Sequence, residues 1–192
     1  MLADWTAPLI SLRIFDLSQN VLVSLTSNLG LSRLESLSLS DNMIVDISDA
    51  ALQGMDSLSS LDLSYNKISS FPAVSGVREL SMSGNMIKTV DQTSLEGLPS
   101  LSVLHLTNMP VLHSMEPLSF MSSPQLTSLS LASSRRLSPL PGGVFSTTPL
   151  LARLDLSNLQ WTSLRPDQLP TSPARLILSG KTAVLQCSVS PY

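Results

Sequence analysis

The chain has 192 residues and a formal net charge of −3, with 43% apolar, 13% charged and 4% aromatic residues. That apolar content is ample for a core and excludes a disordered tail. The slightly acidic balance gives no electrostatic basis for nucleic acid, since Arg135-Arg136 is the only adjacent cationic pair.

Cysteine is nearly absent: Cys187 stands alone, so no disulfide closes within the chain. No stretch reaches the roughly 18 uninterrupted apolar residues that span a bilayer. Met1 to Leu12, with Asp4, Trp5 and Pro8, lacks the layout of a signal peptide. Leucine and serine, 38 and 37 residues, supply more than a third of the chain, which directs attention to internal repetition.

In chain order, a phrase L-x-x-L-x-L-x-x-N recurs. It runs Leu12-x-x-Phe15-x-Leu17-x-x-Asn20, then Leu34, Leu37, Leu39 and Asn42, then Leu58, Leu61, Leu63 and Asn66, then Val77, Leu80, Met82 and Asn85. Three further copies keep the leucines without the asparagine: Leu101-Leu104-Leu106, Leu126-Leu129-Leu131 and Leu151-Leu154-Leu156. A last, weaker copy is Leu176-Ile177-Leu178, running into Gly180-Lys181. The asparagine position falls at 20, 42, 66, 85, 109, 134, 159 and 181, in steps of 22, 24, 19, 24, 25, 25 and 22 residues.

Each part of the phrase predicts an element. The x-L-x-L segment has period two and predicts a short strand with its leucines on one side. Stacked in parallel at about 4.8 Å, the strands make a sheet roughly 34 Å long over seven steps. An inward asparagine amide satisfies backbone groups where the chain turns out of the strand. Met109, Ser134, Leu159 and Lys181 break that ladder or require it to be rebuilt. Leu22, Ile44, Ile68 and Ile87, with Leu25, Ile47, Phe71 and Val90, predict the opposing wall. Ala51–Met55 and Ser94–Leu98 are expected as short helices or single helical turns on the convex side. The 19-residue step, Phe71–Gly76, leaves room only for a bare loop and a thinner convex face.

These residues resemble the leucine-rich-repeat superfamily over about residues 9 to 181. Phrases such as Leu61-Asp62-Leu63-Ser64-Tyr65-Asn66 resemble its typical, 24-residue class, found mostly in extracellular and cell-surface animal proteins. Leu104–Pro110 is similar to a variant repeat of insect members. The resemblance implies an α/β solenoid: a curved parallel β-sheet on the concave face, with short helices, 3-10 turns and loops on the convex face. The expected division is a lead-in over 1–8, about eight repeats over 9–186, and a tail or truncated start of a C-terminal cap over 187–192. Cys187 resembles the start of the family's cysteine-rich cap, although Val189 stands where its second cysteine is usual. Since an uncapped solenoid exposes its end leucines, a fragment or truncated form of a longer protein is expected. Trp5 is expected to cover part of the N-terminal end.

Side chains alternating with the buried leucines face the concave surface. One column reads Asp16, Ser38, Asp62, Ser81, His105, Ser130, Asp155 and Ile177; flanking columns add Arg13, Glu35, Arg78, Glu79, Arg153 and Arg175. The candidate partner-binding set is Arg13, Asp16, Glu35, Asp62, Tyr65, Arg78, Glu79, His105, Arg153 and Asp155. Leu-Asp-Leu-Ser is also the ordinary wording of the repeat, in which each such residue is simply solvated. Trp161 is expected in the core.

No grouping predicts catalysis, a cofactor or a metal. His105 and His113 lie eight residues apart in different parts of one repeat, without a nucleophile elbow beside them. Gly142-Gly143 sits in a proline-rich turn and not between strand and helix.

The resemblance implies a protein ligand held on the concave face by a secreted or membrane-anchored protein, at the cell surface or outside the cell. The alternative is a cytoplasmic adaptor: none of the seven asparagines begins a glycosylation sequon. A third reading is the recognition part of a receptor enzyme. No nucleic acid partner and no membrane insertion by this segment are expected, while end-to-end self-association is a possible contact.

Overall fold

The computed structural model describes residues 9, 11–171, 173–180 and 184–185. Trp5, Lys181 and Cys187, and with them the expected end-cover, last ladder position and cap, lie outside the described residues.

The period-two phrases form eight three-residue strands: β1 (Ile14–Asp16), β3 (Ser36–Ser38), β5 (Ser60–Asp62), β6 (Glu79–Ser81), β8 (Val103–His105), β10 (Ser128–Ser130), β11 (Arg153–Asp155) and β13 (Arg175–Ile177). They join in that order into one sheet, each pair parallel. The register aligns Phe15, Leu37, Leu61, Leu80, Leu104, Leu129, Leu154 and Leu176 in a single file. Six of these, from Leu37 to Leu154, are at most 1% exposed. A one-residue slip would turn the whole file outward, so burial specifies the register.

Sequence reading did not anticipate a second set of strands on the flank. β2 (Ser24–Leu25) pairs with β4 (Asp46–Ile47), β7 (Thr89–Val90) with β9 (Ser114–Met115), and β12 (Ser163–Leu164) with β14 (Val184–Leu185), all parallel. They are two residues long, too short for periodicity to reveal. Ile44, Ile68, Ile87, Leu25 and Val90 close the core from this side, while Leu22, Ile47 and Phe71 are partly buried against it.

At the turn out of the sheet, the asparagine amides bridge repeats. The Asn66 Nδ2 donates to the carbonyls of Leu39 (2.9 Å), Leu63 (3.1 Å) and Ser64 (3.2 Å), and its Oδ1 accepts the Ile44 N–H at 2.9 Å. Asn42 and Asn85 repeat the pattern, accepting from Leu22 and Ile68. Where the amide is lost, Ser134 rebuilds part of it: its hydroxyl donates to the Leu106 carbonyl at 2.9 Å and accepts the Met109 N–H at 3.2 Å. Met109 and Leu159 fill their places as buried apolar side chains.

The residue before each ladder position has positive φ: Gln19, Asp41, Tyr65, Gly84, Asn108, Ser133, Asn158 and Gly180. Left-handed backbone suits Asn, Asp and Gly, and five of the eight are of those types. That enrichment was a readable signal.

On the convex side the shorter of the expected forms, single turns and 3-10 helices, are found. Residues 49–51 and 166–168 form 3-10 helices, and 92–97, 117–122 and 142–147 are runs of turns. No α-helix occurs among the described residues. Ala51 N–H bonds back only to Ser48, and Leu98 N–H to Leu95; such short segments cannot repay helix nucleation, and prolines at 99, 117, 124, 149 and 166 interrupt them. The 19-residue step is the expected loop, and beside it lies an open groove of about 590 Å³ lined by Asp49, Ala50, Leu52–Asp56 and Ala73–Gly76. Gly97 packs so closely on this loop that a Cβ there would stand 2.5 Å from the Ala73 Cα. Further along, Phe120 and Phe145 stack at 5.8 Å, and the buried Trp161 donates its indole N–H to the Leu137 carbonyl at 2.6 Å.

Replacing Asn66 with Ala strands the Ile44 N–H in the core, while the Leu39 and Leu63 carbonyls keep a donor in Asn42 and Asn85; the expected loss is about 1–3 kcal/mol. Asn20→Ala, at the exposed first position, should cost under about 1 kcal/mol; urea midpoints of the two variants test the difference. The Asp91 Oδ1 accepts from the Thr93 N–H and hydroxyl and the Ser94 hydroxyl, at 2.8–2.9 Å. The Thr93 hydroxyl first, then Ser94 and the Thr93 N–H, hold this carboxyl below its usual range. Its stabilisation is therefore present above the unfolded-state pKa and lost as pH falls through the lower folded value. Wild type should melt above Asp91→Ala at neutral pH, with the gap shrinking in acid melts below pH of about 4.

Candidate functional site

Because β-strand side chains alternate, the residues flanking the leucine file emerge on the other face of the sheet. No described element covers that face. It carries three columns: the first strand residues, the third, and the residue following the second leucine. The last column is Ser18, Ser40, Ser64, Ser83, Thr107, Ala132, Ser157 and Ser179, a near-continuous hydroxyl file. Its members bond to one another and to the strands: the Ser64 hydroxyl donates to Ser81 Oγ at 2.9 Å, and the Thr107 hydroxyl to Ser83 Oγ at 2.9 Å. Through these bonds the hydroxyls tie adjacent strands along the edge of the face.

Of the candidate residues, Asp16, Asp62, Glu79, His105, Arg153 and Asp155 lie on the sheet itself. Arg13, Glu35 and Arg78 stand one position before it, where their carbonyls each accept two N–H groups from the next strand. Tyr65 lies in the turn beyond β5. All ten are exposed or half-buried, but they do not form one cluster. Sheet spacing separates Asp16 from Asp155 by six strand steps, roughly 29 Å.

Three local groupings result. At the N-terminal end Arg13 and Glu35 form an ion pair at 2.7 Å; with both side chains largely exposed, it contributes little to stability. Beside it, the Ser18 hydroxyl and then its N–H hold the Asp16 carboxyl below the usual range.

In the middle, Asp62, Tyr65 and His105 line a shallow hollow of about 290 Å³ with Asp41 and the hydroxyls of residues 40, 64, 81, 83 and 107. Tyr65 is 49% exposed, yet its ring is held: it lies over Gly84, where a Cβ would come within 2.5 Å of it, and its hydroxyl accepts from Asn108 Nδ2 at 3.3 Å. Arg78 and Glu79 flank this region without an ion pair to each other.

At the C-terminal end stand Arg153 and Asp155. The Asp155 carboxylate is taken by the Ser157 N–H at 3.0 Å and hydroxyl at 2.6 Å, and Arg175 occupies the position in register with Arg153.

His113 is on the flank, its Nδ1 3.0 Å from the Ser114 hydroxyl, away from His105 in β8. Among the described residues no group of three or more His, Cys, Asp or Glu side chains is placed to hold a metal. No helix among them is long and apolar enough to cross a membrane.

Comparison with known proteins agrees with this architecture. Residues 10–68 match the family described as leucine rich repeat. The fold is similar to a chain in the crystal structure of a TLR13–ssRNA13 complex, with 26% identity and a TM-score of 0.60 over 78% of this chain. The match covers 25% of that solved chain, so the present sequence spans about a quarter of its length. No curated protein matches the sequence.

Gly84→Ala should be disruptive, because its φ of 71° is strained for alanine and the new methyl meets the Tyr65 ring. The expected result is a loss of about 1–3 kcal/mol in urea denaturation, with displaced Tyr65 ring resonances in NMR spectra. Unchanged stability and resonances would mean the ring is not seated on Gly84.

Proposed function

For a chain that is a leucine-rich-repeat solenoid in fold, with matching repeats over residues 10–68, we propose a protein-recognition module that holds its ligand on the concave β-face. The observation that carries this reading is the open sheet. Parallel sheets are ordinarily covered on both faces, and here one face is packed with leucines while the other is left to solvent. The held ring of Tyr65, amphipathic and low in conformational entropy, is the kind of anchor that recognition surfaces favour. Asp62 and His105 beside it, and the arginines at the two ends, supply polar specificity.

In this reading the repeats occupy 9–186 and the module serves as the ligand-binding or adhesion segment of a secreted or membrane-anchored protein. The likeness to a TLR13 chain supports that setting. A cytoplasmic adaptor would use the same face; the absence of glycosylation sequons is the observation that favours it.

Surface choice is tested by capturing the partner with immobilised protein. Arg78→Glu together with Arg153→Glu should reduce capture at least tenfold with an unchanged melting temperature, whereas Glu96→Arg, on a convex turn, should leave capture intact. Capture that survives the concave reversal and fails with Glu96→Arg would move the site to the convex side.

A further inference from the structure

Charge is unevenly divided along the solenoid. Residues 9–125 contain five Lys or Arg against eleven Asp or Glu, whereas 126–180 contain five arginines against two aspartates. Both of those aspartates are engaged. Asp167 pairs with Arg165 at 3.1 Å, and Asp155 accepts from Ser157. Arg135, Arg136, Arg153 and Arg175 therefore have no carboxylate within ion-pair distance among the described residues.

Two of these four share the concave face. Arg153 and Arg175 are the first residues of β11 and β13 and are in register, on neighbouring strands about 4.8 Å apart. Like charges directly opposite each other across strands destabilise a sheet. The first-residue column of the sheet, Ile14, Ser36, Ser60, Glu79, Val103, Ser128, Arg153 and Arg175, contains no other such pair. The opposite end of the sheet shows the contrasting solution, with Arg13 neutralised by Glu35 from the adjacent repeat. A repulsive pair left exposed, with Asp155 hydrogen-bonded to Ser157 and in no ion pair with either arginine, is complementary to an anionic group brought from outside.

We propose that the β11–β13 end of the concave face binds an acidic protein segment, with Asp or Glu carboxylates seated across the Arg153 and Arg175 guanidinium forks. This deepens the concave-face reading and rests on it. Arginine forks donate to carboxylates in bidentate fashion, and the pair presents two of them. A continuous polyanion fits this surface less well than a short acidic segment. The cationic column stops at Ser128, Asp155 stands in the next column, and Asp62 and Glu79 lie further along the path.

The test uses the full chain and a fluorescein-labelled hexaglutamate peptide, followed by anisotropy at about 100 mM salt, where charges beyond roughly 10 Å are screened. Arg153→Ala with Arg175→Ala should weaken binding at least tenfold. Arg33→Ala with Lys67→Ala, which removes two charges elsewhere, should change it less than twofold, and Arg153→Lys with Arg175→Lys should fall between. Circular dichroism melts establish that each variant is folded, as expected for exposed side chains.

Three results would overturn the proposal: no hexaglutamate binding by wild type, equal losses in the two alanine pairs, or an oligouridylate bound at least tenfold more tightly and lost in the same arginine variant. The last would assign the pair to a nucleic-acid backbone. Because the peptide reads the arginine pair directly, its failure leaves the concave-face capture result standing. A failed capture result likewise leaves the peptide titration interpretable.

Discussion

Every repeat of this solenoid must turn its backbone out of the sheet while still inside the core. The turn leaves N–H and carbonyl groups with no strand partner and no water, and such groups are costly to leave unpaired. Asn42, Asn66 and Asn85 answer this by donating to carbonyls of their own and the preceding repeat and accepting an N–H from the preceding one. Side-chain amides are suited to the task because one group carries both donors and acceptor. The leucine file, the flank strands and the open face all presuppose that this junction is closed. Ser134 shows the limit of substitution: a hydroxyl reaches one carbonyl and one N–H, fewer contacts than the amide makes.

The open face follows from the same geometry. With leucines directed inward at every second position, the intervening residues have nowhere to go but outward. Nothing in the described chain returns to cover them. The hydroxyl file along one edge then stiffens the face without making it sticky, and the discriminating groups are few: the ring of Tyr65 held over Gly84, Asp62 and His105 in the same hollow, and arginines near the ends. Their placement over many strands suits a ligand that lies along the sheet more than one enclosed in a pocket.

Much of this was legible in the residues. The period-two leucines gave the sheet and its register, and the asparagine spacing gave the ladder and the short step at Phe71–Gly76. Other features were hidden for physical reasons. Two-residue flank strands such as Thr89–Val90 carry too little pattern to be seen. That the convex face would carry 3-10 turns was expected, but which segments take them, such as Asp49–Ala51, was not, because 3-10 turns share their composition with short α-helices. The left-handed column was visible in Asp41, Gly84, Asn108, Asn158 and Gly180, but Tyr65 and Gln19 obscured it, because the junction holds them in that conformation regardless of preference. For the site, composition could place residues on the concave face. Only register could show that Arg153 meets Arg175 while Arg13 meets Glu35.

Amide hydrogen exchange at the junction tests the account most directly. The Ile44 and Ile68 N–H groups lie outside any strand, yet each is donated to a buried asparagine oxygen, at 2.9 and 3.0 Å. They should exchange as slowly as the amides of the central strands, such as that of Leu61. Exchange of Ile44 and Ile68 at the rate of exposed turn amides such as Gln53 would contradict the claim that the asparagine ladder closes the core.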